Sequence, residues 1–264
     1  MPAHDTIHSV EKMQAFYREN KALVTSPFIT REGMVDKALL ETVFSKLGIT
    51  MNGSPFLDLG CGTGLLSTYV SQRSDRYIGV DINPHENFKR LQNEKSQFLQ
   101  GSALSLPFKD HSVAMISCVD SFEHYPDPFA AAGEIYRVLR HDGQLFLSVP
   151  NYANVAGWVK RRMEGSGRYQ PNTWAPFDFW KPQELEHFIT PGLVRSVFST
   201  AGFTQFRMAG FAREIVIGLL PWLWHPKCPG KVNGILSRLF RLFEKPLATL
   251  FPQVSLHTFW QIAP

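Results

Sequence analysis

The sequence predicts an α/β fold built on a mostly parallel, buried sheet. Two observations carry that prediction. From residue 55 onward, short apolar runs that read as buried strands alternate with short stretches of helical spacing. The first of these runs passes directly into LDLGCGTG, Leu57 to Gly64, a turn with three glycines between a strand and a helix.

The elements follow in order. Residues 9–23 read as a helix with Val10, Met13, Phe16 and Tyr17 on one side, and 33–48 as a second helix with Gly48 as its stop. Strands are expected at 55–59, at 76–80 (closed by Asp81), at 97–100, at 112–118 and at 144–149. Helices are expected at 65–71, 87–95 and 129–139. A first insertion, about 151–190, carries Trp158, Trp174 and Trp180 and little strand signal. Helix 191–201 and strand 203–208 resume the alternation. A second insertion, about 211–253, holds the apolar run 215–224, too short to span a bilayer, and an amphipathic stretch, 232–251, that Pro246 is expected to bend. In that stretch Ile235, Leu239, Leu242, Phe243, Leu247 and Phe251 share a face. Residues 255–262 alternate and read as a closing strand. The organisation is therefore an N-terminal helical cap, 1–50, and one domain, 51–264, with two cap insertions.

A chain of 264 residues, 44% hydrophobic, can bury one large core. Its three cysteines, Cys61, Cys118 and Cys228, form no CxxC pair. That argues against zinc or thioredoxin-like chemistry and fits a reducing compartment. The first dozen residues hold no apolar leader core, so a cytoplasmic location is expected, and no histidine spacing suggests a metal. The net charge is +4, and segment 211–253 alone carries six Lys and Arg against two acids. That segment is either a cap with a charged solvent face or a surface that meets an anionic membrane peripherally. Lys160, Arg161 and Arg162 read as a solvated helix face, so nucleic acid is not an expected partner.

The glycine turn lets backbone approach a ligand, and the helix after it offers free amides. Asp81 closes the next strand, where a carboxylate can accept both hydroxyls of a ribose. There is no GKS or GKT for a phosphate loop, and the third glycine of GxGxxG is missing. With GSALSLPF (Gly101 to Phe108), SVAMISCVDSFEHYPDP (Ser112 to Pro128) and EIYRVLRHDGQLFLSVPN (Glu134 to Asn151), the stretch from Phe56 to Asn151 resembles the class I S-adenosylmethionine-dependent methyltransferases. The likeness is strongest to the small-molecule group that includes ubiquinone and menaquinone enzymes.

The resemblance implies a Rossmann-like seven-stranded sheet with an antiparallel last strand and helices on both faces. It implies S-adenosyl-L-methionine as cofactor and S-adenosyl-L-homocysteine as product. Asp58 would shape the loop, with Gly60, Cys61, Gly62 and Gly64 in the turn beside the methionine end. Asp81 would hold the ribose, Ile82, Ser102 and Ala103 would border the adenine, and Val119 and Asp120 would border the cofactor close to the substrate side. Ser102 stands where such proteins often carry Asp, and Val113-Ala114 where an FD pair is common. His124 is the candidate general base for a hydroxyl acceptor, against a role in bracing its loop. Tyr17, Phe28, Trp158, Trp174, Phe177, Phe179 and Trp180 are candidates for an aromatic substrate chamber, against ordinary cap packing.

The expected activity is methyl transfer to a small, apolar or aromatic acceptor, oxygen favoured over carbon. A lipid or quinone methyltransferase at a membrane and a non-catalytic cofactor-binding partner protein are the alternatives.

Overall fold

The computed structural model describes residues 3–19, 27–30, 32–51, 55–167, 185–224 and 228–264, with side chains throughout except at 3–9, 224, 233, 237 and 241. Helix α1 (Ala3–Glu19) and helix α2 (Lys37–Leu47) precede the sheet. The alternation then runs β1 (Phe56–Leu59), α3 (Ser67–Val70), β2 (Tyr77–Asp81), α4 (Phe88–Leu91), β3 (Ser96–Gln100), β4 (Val113–Val119), α5 (Pro128–Val138) and β5 (Leu139–Pro150). The rest is α6 (Val155–Gly165), α7 (Pro191–Ala201), β6 (Gln205–Gly210), α8 (Ile215–Leu219), α9 (Gly230–Leu250) and β7 (His257–Ala263). The seven strands form one sheet in the order β3-β2-β1-β4-β5-β7-β6. β1 to β5 pair in parallel, and β7 runs antiparallel to both β5 and β6.

The central strands are buried on both faces, yet their side chains still divide with period two. Leu57, Leu59, Ile78 and Val80 pack with Ile135 and Val138 of α5 and Val194 and Phe198 of α7. Phe56, Tyr77, Phe146 and Phe259 pack on the opposite face with Leu40, Val43 and Phe44 of α2. Each such burial stabilises the fold by about 1.5–3 kcal/mol, and a single truncation such as Phe44→Ala costs about 3–5 kcal/mol.

Local chemistry sets the helix ends. Asp36 accepts from the Leu39 amide at 3.0 Å, which starts α2 later than residue 33, and Gly48 ends it at φ 69°. Asp127 caps α5 and Thr190 caps α7, each followed by Pro in the first turn. The helix expected over 87–95 is cut to Phe88–Leu91. Asn93 accepts from the amides of Lys95 and Ser96 at 2.9 and 3.0 Å and folds the chain into a turn instead. The helix expected over 65–71 is likewise only Ser67–Val70.

The insertions depart further from expectation. The first contains α6, whose buried face is Ala156, Gly157 and Lys160. Lys160 therefore leaves the solvated face assigned to it and is 3% exposed. Trp158, on the other side of α6, is 61% exposed rather than part of a chamber wall. Trp174, Phe177, Phe179 and Trp180 lie outside the described residues. In the second insertion α9 runs on through Pro246, and Ile235, Leu239, Leu242 and Phe243 face solvent.

Candidate active site

From β1 the chain winds first toward β2 and β3, then crosses back to β4 and β5, so the carboxyl ends of β1 and β4 part and open a crevice. A cavity of about 680 Å³ lies there, within the usual range for a small-molecule site. Residues from the ends of four parallel strands reach it: Gly60 after β1, Asp81 at the end of β2, Ser102 after β3 and Asp120 after β4. Helix α1 adds Val10, Met13 and Tyr17 from the other side.

The glycine turn is held by β2. The amides of Gly60 and Cys61 both donate to the Val80 carbonyl, at 2.8 and 3.2 Å, and the Gly62 amide donates to Asp81 Oδ2 at 2.8 Å. Asp81 Oδ1 accepts from the Asn83 amide at 2.9 Å. Asp81 thus wires the turn to its own strand end, and each carboxylate oxygen keeps a lone pair for a further donor. Gly60 sits at φ 67°, and a Cβ there would lie 2.4 Å from Ser121 Cβ. Only glycine allows the turn to touch the loop after β4 this closely. Gly64 does not line the cavity, and a Cβ on it would strike the Phe98 ring at 2.7 Å.

Asp58 lies beneath the turn, accepting from Tyr77 Oη at 2.7 Å and Ser117 Oγ at 2.6 Å. Burial outweighs these bonds and pushes its carboxyl up to about 6. Cys61 and Ile82 line the cavity, as do Ala103 and Val119. Burial raises the Cys61 thiol well above its usual range, so it sits as a neutral, small packing group. Ser102 Oγ accepts from the Leu104 amide at 3.2 Å and closes a local turn.

The end of the cavity after β4 is polar. Asp120, at φ 45°, accepts from Ser148 Oγ at 2.8 Å. The next turn, Phe122–His124, is strapped by a segment near the end of the first insertion. His124 Nδ1 lies 2.8 Å from the Leu185 carbonyl, the His187 amide donates to the Glu123 carbonyl at 2.8 Å, and His187 Nε2 reaches the Tyr125 carbonyl at 2.9 Å. A carbonyl can only accept, so His124 carries its proton on Nδ1 and presents an unprotonated Nε2. Burial holds its pKa below the ordinary value, against the opposing pull of the Leu185 bond and Glu186. Tyr17 stands edge-on to this ring with centroids 5.9 Å apart.

Glu123 is 3% exposed, and its Oε2 has no hydrogen-bond partner. Burial, reinforced by Asp120, holds its carboxyl well above the usual range. Opposite, Lys160 Nζ is 3.0 Å from both Glu186 Oε2 and Tyr152 Oη, and Tyr152 Oη donates to Glu186. His257 completes the wall. Its burial disfavours charge, but Glu214 at 2.8 Å, with Asp120 and Glu123, overrides that and brings the imidazole up to about 10.

The sequence reading named Tyr17, His124 and the turn, and all three meet in this cavity. It did not name Tyr152, Lys160, Glu186, Glu214 or His257. Lys160 is hidden in a basic triplet, and nothing local marks Glu186 or His257.

Such a doubly covered sheet, with a glycine turn and a strand-end carboxylate meeting at its switch point, defines a nucleotide-cofactor domain of the methyltransferase kind. Residues 57–147 match the family described as a methyltransferase domain, and over that stretch the chain is similar to S-adenosylmethionine-dependent methyltransferases. The chain is 31% identical over 107 residues to an uncharacterized methyltransferase of Mycobacteroides abscessus, covering 38% of this chain and 41% of that protein. It is 26% identical over 182 residues to a demethylmenaquinone methyltransferase of Listeria monocytogenes, covering 61% and 75%. The match thus spans about two fifths of the length of the first relative. The fold is similar to a chain in the complex of the Haloferax volcanii Trm112 methyltransferase activator with a methyltransferase, at TM-score 0.57, 16% identity and coverage of 95% and 96%. The family's cofactor is S-adenosylmethionine. The glycine turn beside a carboxylate with lone pairs to spare fits that group.

Proposed function

We propose that this protein transfers a methyl group from S-adenosylmethionine to a small acceptor that carries a hydroxyl on an apolar or aromatic body. The observation that carries the reading is His124, whose Nδ1–H is spent on the Leu185 carbonyl while Nε2 remains basic on the wall of the cavity that the glycine turn and Asp81 also line. Bound S-adenosylmethionine supplies a methyl group already activated by its sulfonium.

The chain's own work is to bind, align and handle one proton. Backbone at Gly60, Cys61 and Gly62 would cradle the methionine end. Asp81 would accept the ribose hydroxyls, while Ile82, Ser102 and Ala103 border the base and Val119 and Asp120 mark the substrate side. The acceptor hydroxyl would give its proton to His124 Nε2, and the resulting imidazolium is favoured by the neighbouring Glu186. Glu123 Oε2, buried and unpartnered, is available to a polar group of the acceptor. Alignment of donor and acceptor and exclusion of water supply the rest.

A lipid or quinone acceptor is the second reading, favoured by the likeness to the Listeria demethylmenaquinone methyltransferase over 61% of the chain. Calorimetric titration with S-adenosylmethionine and S-adenosylhomocysteine, repeated on Asp81→Asn, tests the cofactor half. Absence of binding to the folded wild-type protein overturns the proposal. A labelled-methyl assay across phenols, catechols and quinols then reads the acceptor class.

A further inference from the structure

We infer that α9 is an interfacial helix that docks this protein on an anionic bilayer surface. The inference rests on exposed side chains alone and holds whatever the acceptor is. Val232, Ile235, Leu239, Leu242, Phe243 and Leu250 are all exposed, from 44% at Val232 to 75% at Leu242. At 100° per residue they fall within an arc of about 100°, a continuous stripe about 30 Å long. Ala248, almost opposite the stripe, is buried against the protein, and the half-buried Leu236, Phe240 and Leu247 lie between it and the stripe. Scattered exposed apolar residues need no explanation, but an aligned stripe of this length does.

Charge selects the occupant. Lys231, Arg238 and Lys245 recur every seven residues and are exposed, so they form a row along one edge of the stripe. Long basic side chains at the margin of an apolar face can reach outward to phosphate while their stems lie on hydrocarbon. The acid of the helix, Glu244, lies on the other side of the stripe and is half-buried. A second copy of α9 would bring the same cations and no exposed carboxylate to receive them, whereas anionic headgroups supply that complement. The turn Pro221–Trp224, packed against α9, leaves Trp222 half-exposed, as suits an aromatic at a headgroup level. Among the described residues no helix is long and apolar enough to cross a membrane, so the contact is peripheral. Helix α9 also packs against the turn Ala212–Glu214, and Glu214 holds His257 on the cavity wall. The docking surface and the cavity therefore share a support.

Flotation of the full chain with extruded vesicles, phosphatidylcholine alone or mixed with phosphatidylglycerol, tests this. The protein is expected to float with the mixed vesicles at low salt and to be released at high salt. Replacing Lys231, Arg238 and Lys245 together by Gln is expected to weaken partitioning on the order of 100-fold, at about 1 kcal/mol per charge. Ile235→Ser with Leu242→Ser is expected to weaken it about tenfold or more. Because every altered side chain is exposed, the melting temperature should be unchanged in both variants. Failure to bind mixed vesicles, or binding that neither variant alters, overturns the inference. So does a stable dimer, seen by light scattering, that Leu242→Glu converts to monomer without any vesicle binding in the parent.

Discussion

Glu214 Oε1 lies 2.8 Å from His257 Nδ1, and Glu214 Oε2 accepts the His257 amide at 2.8 Å. One carboxylate at the start of the second insertion thus fixes both the ring and the backbone where the last strand enters the sheet. The charge of Glu214 is what keeps this buried imidazole protonated, up to about 10. Glu214→Gln keeps an acceptor oxygen and removes the charge. The His257 ring should remain protonated through pH 8 in the parent, and its midpoint should fall by about one to three units in the variant. An NMR titration of the ring proton reads this directly.

His124→Gln should lower the rate of methyl transfer by about 10²–10⁴-fold while leaving S-adenosylhomocysteine affinity within about twofold. Burial depresses the His124 pKa, so the parent enzyme should lose rate only below the ordinary histidine value of about 6.5. A variant that keeps full rate, or that loses cofactor binding along with it, would return His124 to the role of a loop brace.

Asp58 makes stability depend on pH in an unusual direction. Its folded-state value, about 6, is above the ordinary 3.8, so the fold prefers it protonated. The contribution is fully present below the unfolded value and is lost as pH rises toward 6. The amount is about 3 kcal/mol, at about 1.4 kcal/mol per unit. Urea melts across this window should show Asp58→Asn relieved of that loss. Parallel stability profiles for parent and variant would refute the assignment.

Gly60→Ala places a methyl group 2.4 Å from Ser121 Cβ at a φ of 67°. Strain and overlap together should cost about 2–4 kcal/mol, read as a lower urea midpoint. Because the turn must shift to accept the methyl, cofactor affinity should fall as well.

Lys160→Met leaves the half-buried Glu186 without its cation and should cost about 3 kcal/mol. Adding Glu186→Leu should recover most of that loss, because the penalty comes from the uncompensated charge. A double variant no more stable than the single one would mean that Tyr152 and Lys160 hold the first insertion by packing alone.

The sheet was legible because buried strands announce themselves as short apolar runs and because the glycines of LDLGCGTG mark where the first strand ends. Six of the seven strands, the antiparallel closing strand among them, lie within about two residues of their expected places, while β5 begins five residues before its expected start at 144. Short helices were less legible. Asn93 ended α4 through side-chain bonds to its own neighbours, which apolar spacing does not register. The cofactor end of the cavity is written locally in sequence, as a turn and one strand-end Asp. The polar end is assembled from distant pieces: Tyr152, Lys160 and Glu186 from the two ends of one insertion, and Glu214 paired with His257 across 43 residues. No window of sequence contains that pairing. Lys160 and Trp158, two positions apart, exchanged their expected environments because the packed face of α6 was set by Gly157, where a Cβ would strike the Tyr152 backbone at 2.4 Å.

Helix α1 closes the cavity opposite the sheet. Its Gln14 side chain donates to the Ile82 carbonyl at 3.2 Å, and Asn83 donates back to the Gln14 carbonyl at 3.0 Å, both part-buried. Neutral bonds of this kind are worth about 0.5–1.5 kcal/mol each. Were α1 to open as a lid, on the microsecond-to-millisecond scale of such motions, release of spent cofactor would set the pace of turnover. Solvent viscosity should then slow steady-state turnover more than it slows a single round of chemistry.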